Sequence, residues 1–156
     1  MFLTVWLAAG VASLLVLPWY GLDDAISSPA LFAGAPWLWP LVVPLLVAAF
    51  ASLGRGKSVL LIAAGTAGVL WLAGEGLLIL HHGWAYTWLT DLFGPGPVQP
   101  AMGWGAALYA LSSTMLLSYG LARRGVCKGD VFVVGTILLT GGLIALFVFY
   151  PVLCIL

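Results

Sequence analysis

The sequence predicts an all-α, multi-pass membrane protein that forms a single domain over residues 1–156, with five transmembrane helices. Hydrophobic residues make up 63% of the chain, charged residues make up only 6%, and the mean hydropathy is +1.18. Soluble domains carry about 25% charged residues. So few charges cannot give a globule of this size a polar surface, and the net charge of zero provides no basic patch for nucleic acid. The composition therefore excludes a soluble enzyme, a disordered chain and a nucleic-acid binder.

The five predicted helices are charge-poor stretches of about 20 residues, the length that crosses a bilayer. Helix one is predicted to continue past Pro18 and to end at Tyr20. Trp19 and Tyr20 at this end are aromatic residues suited to the headgroup layer. Helix two can accommodate Pro40 in its first turn, whereas we expect Pro44 either to bend the helix or to mark its true start. Helix three contains one charge, Glu75. The predicted ranges are 2–20, 37–53, 59–80, 104–122 and 131–153.

The placement of the charges predicts the orientation. All five basic residues lie in the loops at 54–58 and 123–130, which share one side of a five-helix topology. The loops at 21–36 and 81–103 share the other side and contain no Lys or Arg. Cytoplasmic loops carry the excess of Lys and Arg. We therefore expect a cytoplasmic N-terminus and a periplasmic C-terminus in a bacterial inner (plasma) membrane.

Small residues recur at close spacing on three of the predicted helices. Such residues let helix backbones approach closely in a bilayer. The alternative is that they are lipid-compatible filler, because Ala and Gly are abundant in this chain. The sets are Ala64, Gly65 and Gly68 on helix three, Ala106, Ala107 and Ala110 on helix four, and Gly135, Gly141 and Gly142 on helix five.

Glu75 is the first candidate for a substrate-binding residue, because it is the one ionisable group within a predicted span. Ionisable groups inside a membrane usually mark an ion or substrate pathway. Glu75 lies five residues before the predicted helix end at Leu80, about 8 Å from that end. A proton or transport role therefore stands beside a structural one, in which Glu75 is solvated or hydrogen-bonded.

His81, His82 and Asp91 are the other candidates for substrate contact. Adjacent histidines on a helix point about 100° apart and make a poor chelating pair, and Asp91 lacks the i, i+3 or i, i+4 spacing to join them. We predict no bound metal and no cofactor. The alternative to a ligand role is a polar helix end at the membrane interface.

The sequence predicts no enzyme and no catalytic residue. It contains no Ser/His/Asp constellation and no paired carboxylates within a helix. The segment Gly54-Arg55-Gly56-Lys57-Ser58 ends like a phosphate-binding loop, but Ala51 replaces the required first glycine and no strand precedes it. This segment is predicted to be a basic membrane turn.

Segments along most of the chain resemble the N-terminal membrane region of bacterial iron(III)-type ABC transporter permeases. The resemblance rests mainly on 124–135 (RGVCKGDVFVVG) and 146–153 (LFVFYPVL). Further similar stretches are 17–21 (LPWYG), 92–95 (LFGP) and 102–106 (MGWGA).

The resemblance implies that this chain is an inner-membrane permease component of an ABC importer for iron(III), and that it corresponds to an N-terminal piece of such a permease. Its partners would be an ATP-binding cassette ATPase and a periplasmic substrate-binding protein. The family's coupling loop begins Glu-Ala-Ala, and in this chain Glu75 is followed by Gly and Leu. No translocation or ATPase-contact residue can therefore be carried over.

Two other functions stay open at this point. The first is a small stand-alone membrane protein that acts as an accessory subunit of a larger membrane complex, for which helix faces rich in Gly and Ala are suited. The second is a membrane redox protein that uses His81 and His82 with haem or a quinone.

Overall fold

The computed structural model describes residues 1–20, 28–33, 35–54, 57–80, 83–96, 101–149 and 151–152. Within these ranges the chain is almost entirely helical, with two short antiparallel strands of two residues each. The elements are α1 Phe2–Leu15, α2 Val42–Ser52, α3 Ser58–Leu78, β1 Ile79–Leu80, β2 Gly83–Trp84, α4 Thr87–Phe93, α5 Trp104–Ala122 and α6 Val131–Ile144. The predicted all-α fold class is confirmed.

Among the described residues, three helices are long and apolar enough to cross a membrane: α3, α5, and α6 with its continuation to Val148. The remaining apolar helices, α1 and the helical stretch Pro36–Ser52, are shorter. The chain therefore has the helices of a membrane protein. The count of five spans and the orientation of the termini stay predictions.

The end predicted for helix one is wrong, because α1 ends at Leu15 rather than at Tyr20. Pro18 has no backbone N–H to donate and disfavours a helical conformation in the residue before it. The chain then turns inward: Trp19 is fully buried, and its carbonyl oxygen accepts a hydrogen bond from the Gly103 N–H at 2.7 Å. Hydropathy does not distinguish this buried apolar turn from the helix it follows.

Helix two begins as a 3-10 helix over Pro36–Leu41 and becomes α-helical at Val42. Pro40 lies inside the 3-10 segment, and Pro44 lies in the first turn of α2. A proline is tolerated in a first turn because the N–H it lacks would have no helical partner there. Of the two alternatives predicted for Pro44, a bend or the true start of the helix, the structure shows the second, because Pro44 lies two residues after the start of α2.

The segment at 81–103, predicted as an irregular loop, contains regular structure. β2 pairs with β1, with Ile79 opposite Trp84. Because Ile79 and Leu80 form this strand, α3 ends at Leu78, two residues before the predicted end at residue 80. The short helix α4 follows, and its Tyr86 N-cap is in an extended conformation. Neither β2 nor α4 was predicted, because a high content of Gly, Pro and Trp is typical of a loop.

α5 lies at the centre of the bundle and packs against α1, α3 and α6, whereas α2 packs mainly against α3. Its bounds match the predicted helix four. The approach between α3 and α5 is close because Gly65 has no side chain: a Cβ there would lie 2.6 Å from the Ser113 carbonyl oxygen and the Leu117 nitrogen. At Gly65, the structure therefore favours close helix packing over lipid-compatible filler.

α6 begins at a side-chain cap. Asp130 Oδ1 accepts hydrogen bonds from the backbone N–H groups of Phe132, at 2.9 Å, and Val133, at 3.2 Å. A carboxylate at this position satisfies N–H groups that have no partner within the helix. α6 continues as a π-helical turn over Ala145–Phe149. The predicted end at residue 153 lies outside the described residues.

Candidate functional site

Glu75 lies on α3, one turn before the helix end, and is 5% exposed. The backbone N–H of Ile79 donates to its carbonyl oxygen, so the helix is intact around it. The side chain therefore does not reach freely into solvent. It lies buried within a segment that is long and apolar enough to cross a membrane.

A tryptophan one helical turn away holds one carboxylate oxygen of Glu75. Trp71 Nε1 donates to Glu75 Oε1 at 3.0 Å and also to the Trp37 carbonyl oxygen at 3.0 Å. Residues four apart on a helix lie on the same face, which brings Trp71 and Glu75 together. The shared N–H connects α3 to the 3-10 segment Pro36–Leu41 that precedes α2.

A second tryptophan continues this polar chain, because Trp37 Nε1 donates to the hydroxyl oxygen of Tyr20 at 3.1 Å. Tyr20 lies in the turn beyond the end of α1. Burial raises the pKa of the Tyr20 phenol to about 12, and the hydrogen bond from Trp37 opposes this rise. The phenol therefore keeps its proton at neutral pH.

The second carboxylate oxygen of Glu75 is buried and has no hydrogen-bond partner in the described part of the chain. Buried polar atoms in proteins are nearly always hydrogen-bonded, and leaving a charged group unpaired is costly. Such an atom requires an explanation, and an unfilled ligand position is one.

Glu75 is also part of the wall of a cavity of about 490 Å³ on one side of α3. This volume lies within the range of small-molecule pockets, roughly 300–1,000 Å³. Among the residues that the structure describes, Glu75 is the one ionisable residue of this wall, and the others are apolar or aromatic. The lining residues are Trp37, Ala67, Leu70, Trp71, Gly74, Glu75, Leu78, Ile79 and Trp84.

Asp91 does not join Glu75 in this cavity wall. Asp91 lies exposed on α4, and His81 and His82 lie outside the described residues. Over the residues that the structure describes, no group of three or more His, Cys, Asp and Glu side chains is close enough together to hold a metal ion. In the part of the chain that the structure describes, the site brings together one carboxylate and three indoles.

No protein-family model matches this chain, and neither the curated proteins nor the solved structures contain a match. The chemistry of the site is therefore inferred from its own residues. A single carboxylate in an aromatic cavity suits the non-covalent binding of a cation.

The sequence interpretation found Glu75 but missed the three tryptophans around it. The i, i+4 spacing of Trp71 and Glu75 was a visible signal, since residues so spaced share a helix face. Trp37 and Trp84 gave no such signal, because only the fold brings the 3-10 segment and β2 to this side of α3.

Proposed function

We propose that this chain is a membrane-embedded component of a solute transport system and that Glu75 contributes to the binding of its substrate. The observation that carries the proposal is the buried, half-partnered carboxylate of Glu75 beside a cavity in the apolar helix α3. Ionisable groups are costly inside a bilayer, and where they occur they usually serve a substrate or ion pathway.

The more specific form of the proposal is a permease component of an ABC importer in the bacterial inner membrane, with iron(III) as the implied cargo. This form is supported by the resemblance over 124–135 and 146–153. It requires a cytoplasmic ATPase and a periplasmic substrate-binding protein, and also the permease region that carries the coupling loop.

Affinity purification of the tagged chain in mild detergent tests the proposal. We expect an ATP-binding cassette ATPase and a periplasmic binding protein to co-purify, identified by mass spectrometry. A tagged multi-pass protein of unrelated function is the control for non-specific capture. Reproducible recovery of a complex without an ATPase would replace the transport proposal with the accessory-subunit function.

The uncovered surface of α6 favours that accessory-subunit function as the second candidate. Only Val134 and Gly135 of α6 are buried. A Cβ added at Gly141 or Gly142 would meet nothing within 4 Å. Two uncovered glycines on a lipid-compatible helix allow another helix to approach closely. If α6 contacts a partner there, Gly141→Leu will reduce co-purification of that partner and leave the yield of the folded chain unchanged.

The orientation is a prediction of the same proposal. Reporter fusions at Lys57 and Arg124 are expected to give cytoplasmic activity, and fusions at Asp24 and Asp91 periplasmic activity, because Lys and Arg are retained on the cytoplasmic side. Paired alkaline phosphatase and green fluorescent protein fusions measure this. The reverse pattern would contradict the orientation, and a mixed pattern would contradict the five-helix topology.

A further inference from the structure

We infer that the cavity beside Glu75 binds an organic ammonium cation, with the carboxylate as its counter-ion and with Trp37, Trp71 and Trp84 as its aromatic walls. This inference rests on the general form of the proposed function, a component of a solute transport system, and deepens it by giving the ligand class of the same site. It stands against iron(III) as the ligand bound at Glu75.

The aromatic wall is the first argument. Indole is the strongest of the side-chain rings in cation–π attraction, and aromatic cages are a recurrent site for quaternary ammonium groups. Three tryptophans line this cavity. Their N–H groups are already used: Trp37 donates to Tyr20, Trp71 to Glu75, and Trp84 to the Gly94 carbonyl oxygen at 3.2 Å. The rings are therefore held in place and offer the cavity mainly aromatic surface.

Charge complementarity is the second argument. Within the described part of the chain, Glu75 Oε2 is buried without a partner, and Glu75 is the sole ionisable group among the residues that line the cavity. A monovalent cation would neutralise the carboxylate without requiring further polar ligands. A hard metal ion instead takes six or more oxygen ligands, which this wall does not provide.

The position of the cavity is the third argument. Its lining residues Leu70, Trp71 and Leu78 are 64%, 44% and 38% exposed, so the edge of the cavity belongs to the apolar outer surface of α3. Gly74 adds open space at this edge, since a Cβ there would meet no atom within 4 Å. A ligand with an apolar body and a cationic head fits this entry from the bilayer.

Benzyltrimethylammonium is a suitable probe for the purified chain in maltoside micelles, with binding measured by equilibrium dialysis. The matched neutral probe is neopentylbenzene, in which carbon replaces the charged nitrogen. We expect saturable binding of the cation at one site per chain and affinity for the neutral probe at least about tenfold lower. Equal affinities for the two probes would overturn the inference.

Two carboxylate variants make the test specific to Glu75. Glu75→Gln keeps the size and the acceptor for Trp71 but removes the charge, and we expect it to weaken cation binding at least about tenfold. Asp91→Asn removes an exposed carboxylate from α4 and should leave the affinity unchanged. Equal affinities of wild type and Glu75→Gln would overturn the inference.

Gly74→Leu keeps the test decisive if Glu75→Gln fails to fold. The leucine extends into the open space beside Glu75 and occupies part of the cavity, so it should strongly weaken cation binding while the circular dichroism spectrum stays unchanged. Retained cation binding in a folded Gly74→Leu protein would contradict this location of the site.

The ammonium group can belong to a free solute or to a choline headgroup of a lipid. Added phosphatidylcholine will compete with benzyltrimethylammonium if a headgroup occupies the cavity, and it will not compete if the ligand is a free cation. Co-purification of an ATPase tests the transport proposal separately. Its failure would leave cation binding intact, whereas failure of cation binding alone would remove only the ligand class.

Discussion

Replacement of Gly65 by alanine is expected to destabilise the folded protein by about 1–3 kcal/mol or more, because overpacking displaces structure that cannot yield. A Cβ at Gly65 would lie 2.6 Å from two backbone atoms of α5, the Ser113 carbonyl oxygen and the Leu117 nitrogen. A backbone atom cannot move aside like the end of a flexible side chain. The α3–α5 contact, on which the bundle is centred, must therefore open.

Gly74, on the same helix, provides the matched control. A Cβ there would meet nothing within 4 Å, so Gly74→Ala should leave the free energy of unfolding unchanged or raise it by up to about 1 kcal/mol. Titration with SDS in mixed micelles, followed by tryptophan fluorescence, measures both variants. Equal stability of Gly65→Ala and Gly74→Ala would show that α3 and α5 do not pack as closely as the structure has them.

A helix was predicted with correct ends only where the sequence marks the residues at which its apolar stretch begins and ends. α5 was predicted at its exact ends because an apolar stretch lies between Gly103 and Arg123, and each of these residues is at a helix boundary. α1 was predicted too long because an apolar turn follows it. The residues of this turn, including the buried Trp19, are as hydrophobic as those of a membrane helix, so hydropathy does not mark where the helix ends. α4 was missed because a helix of seven residues in a Gly- and Pro-rich segment is too short to show a clear periodicity.

Only part of the candidate site could be predicted from the sequence, namely Glu75 itself and not the residues around it. An ionisable residue in an apolar stretch is visible by inspection, so Glu75 was found. Its environment depends on contacts across 34 residues, such as the Trp71 hydrogen bond to the Trp37 carbonyl oxygen. No local pattern encodes such a contact, because it follows from how the 3-10 segment packs on α3.

A fully buried tyrosine, Tyr109, gives the second large expected effect. It lies on α5, its hydroxyl donates to the Leu41 carbonyl oxygen at 2.7 Å, and its ring meets Trp19 edge-on with centroids 5.9 Å apart. This one side chain therefore ties α5 both to the start of α2 and to the turn that follows α1. Its removal affects three parts of the bundle at once.

We expect Tyr109→Ala to destabilise the protein by about 3–5 kcal/mol, the usual cost of deleting a buried aromatic ring. Tyr109→Phe keeps the ring and removes only the hydroxyl, so it should cost about 1–2 kcal/mol, the value of one buried hydrogen bond. Tyr86 is 51% exposed and gives the control, since Tyr86→Phe should lie within about 0.5 kcal/mol of wild type. SDS titration in mixed micelles again provides the free energies. If Tyr109→Phe is as stable as wild type while Tyr109→Ala is not, the ring alone joins the three parts, and the hydrogen bond to Leu41 contributes nothing to stability.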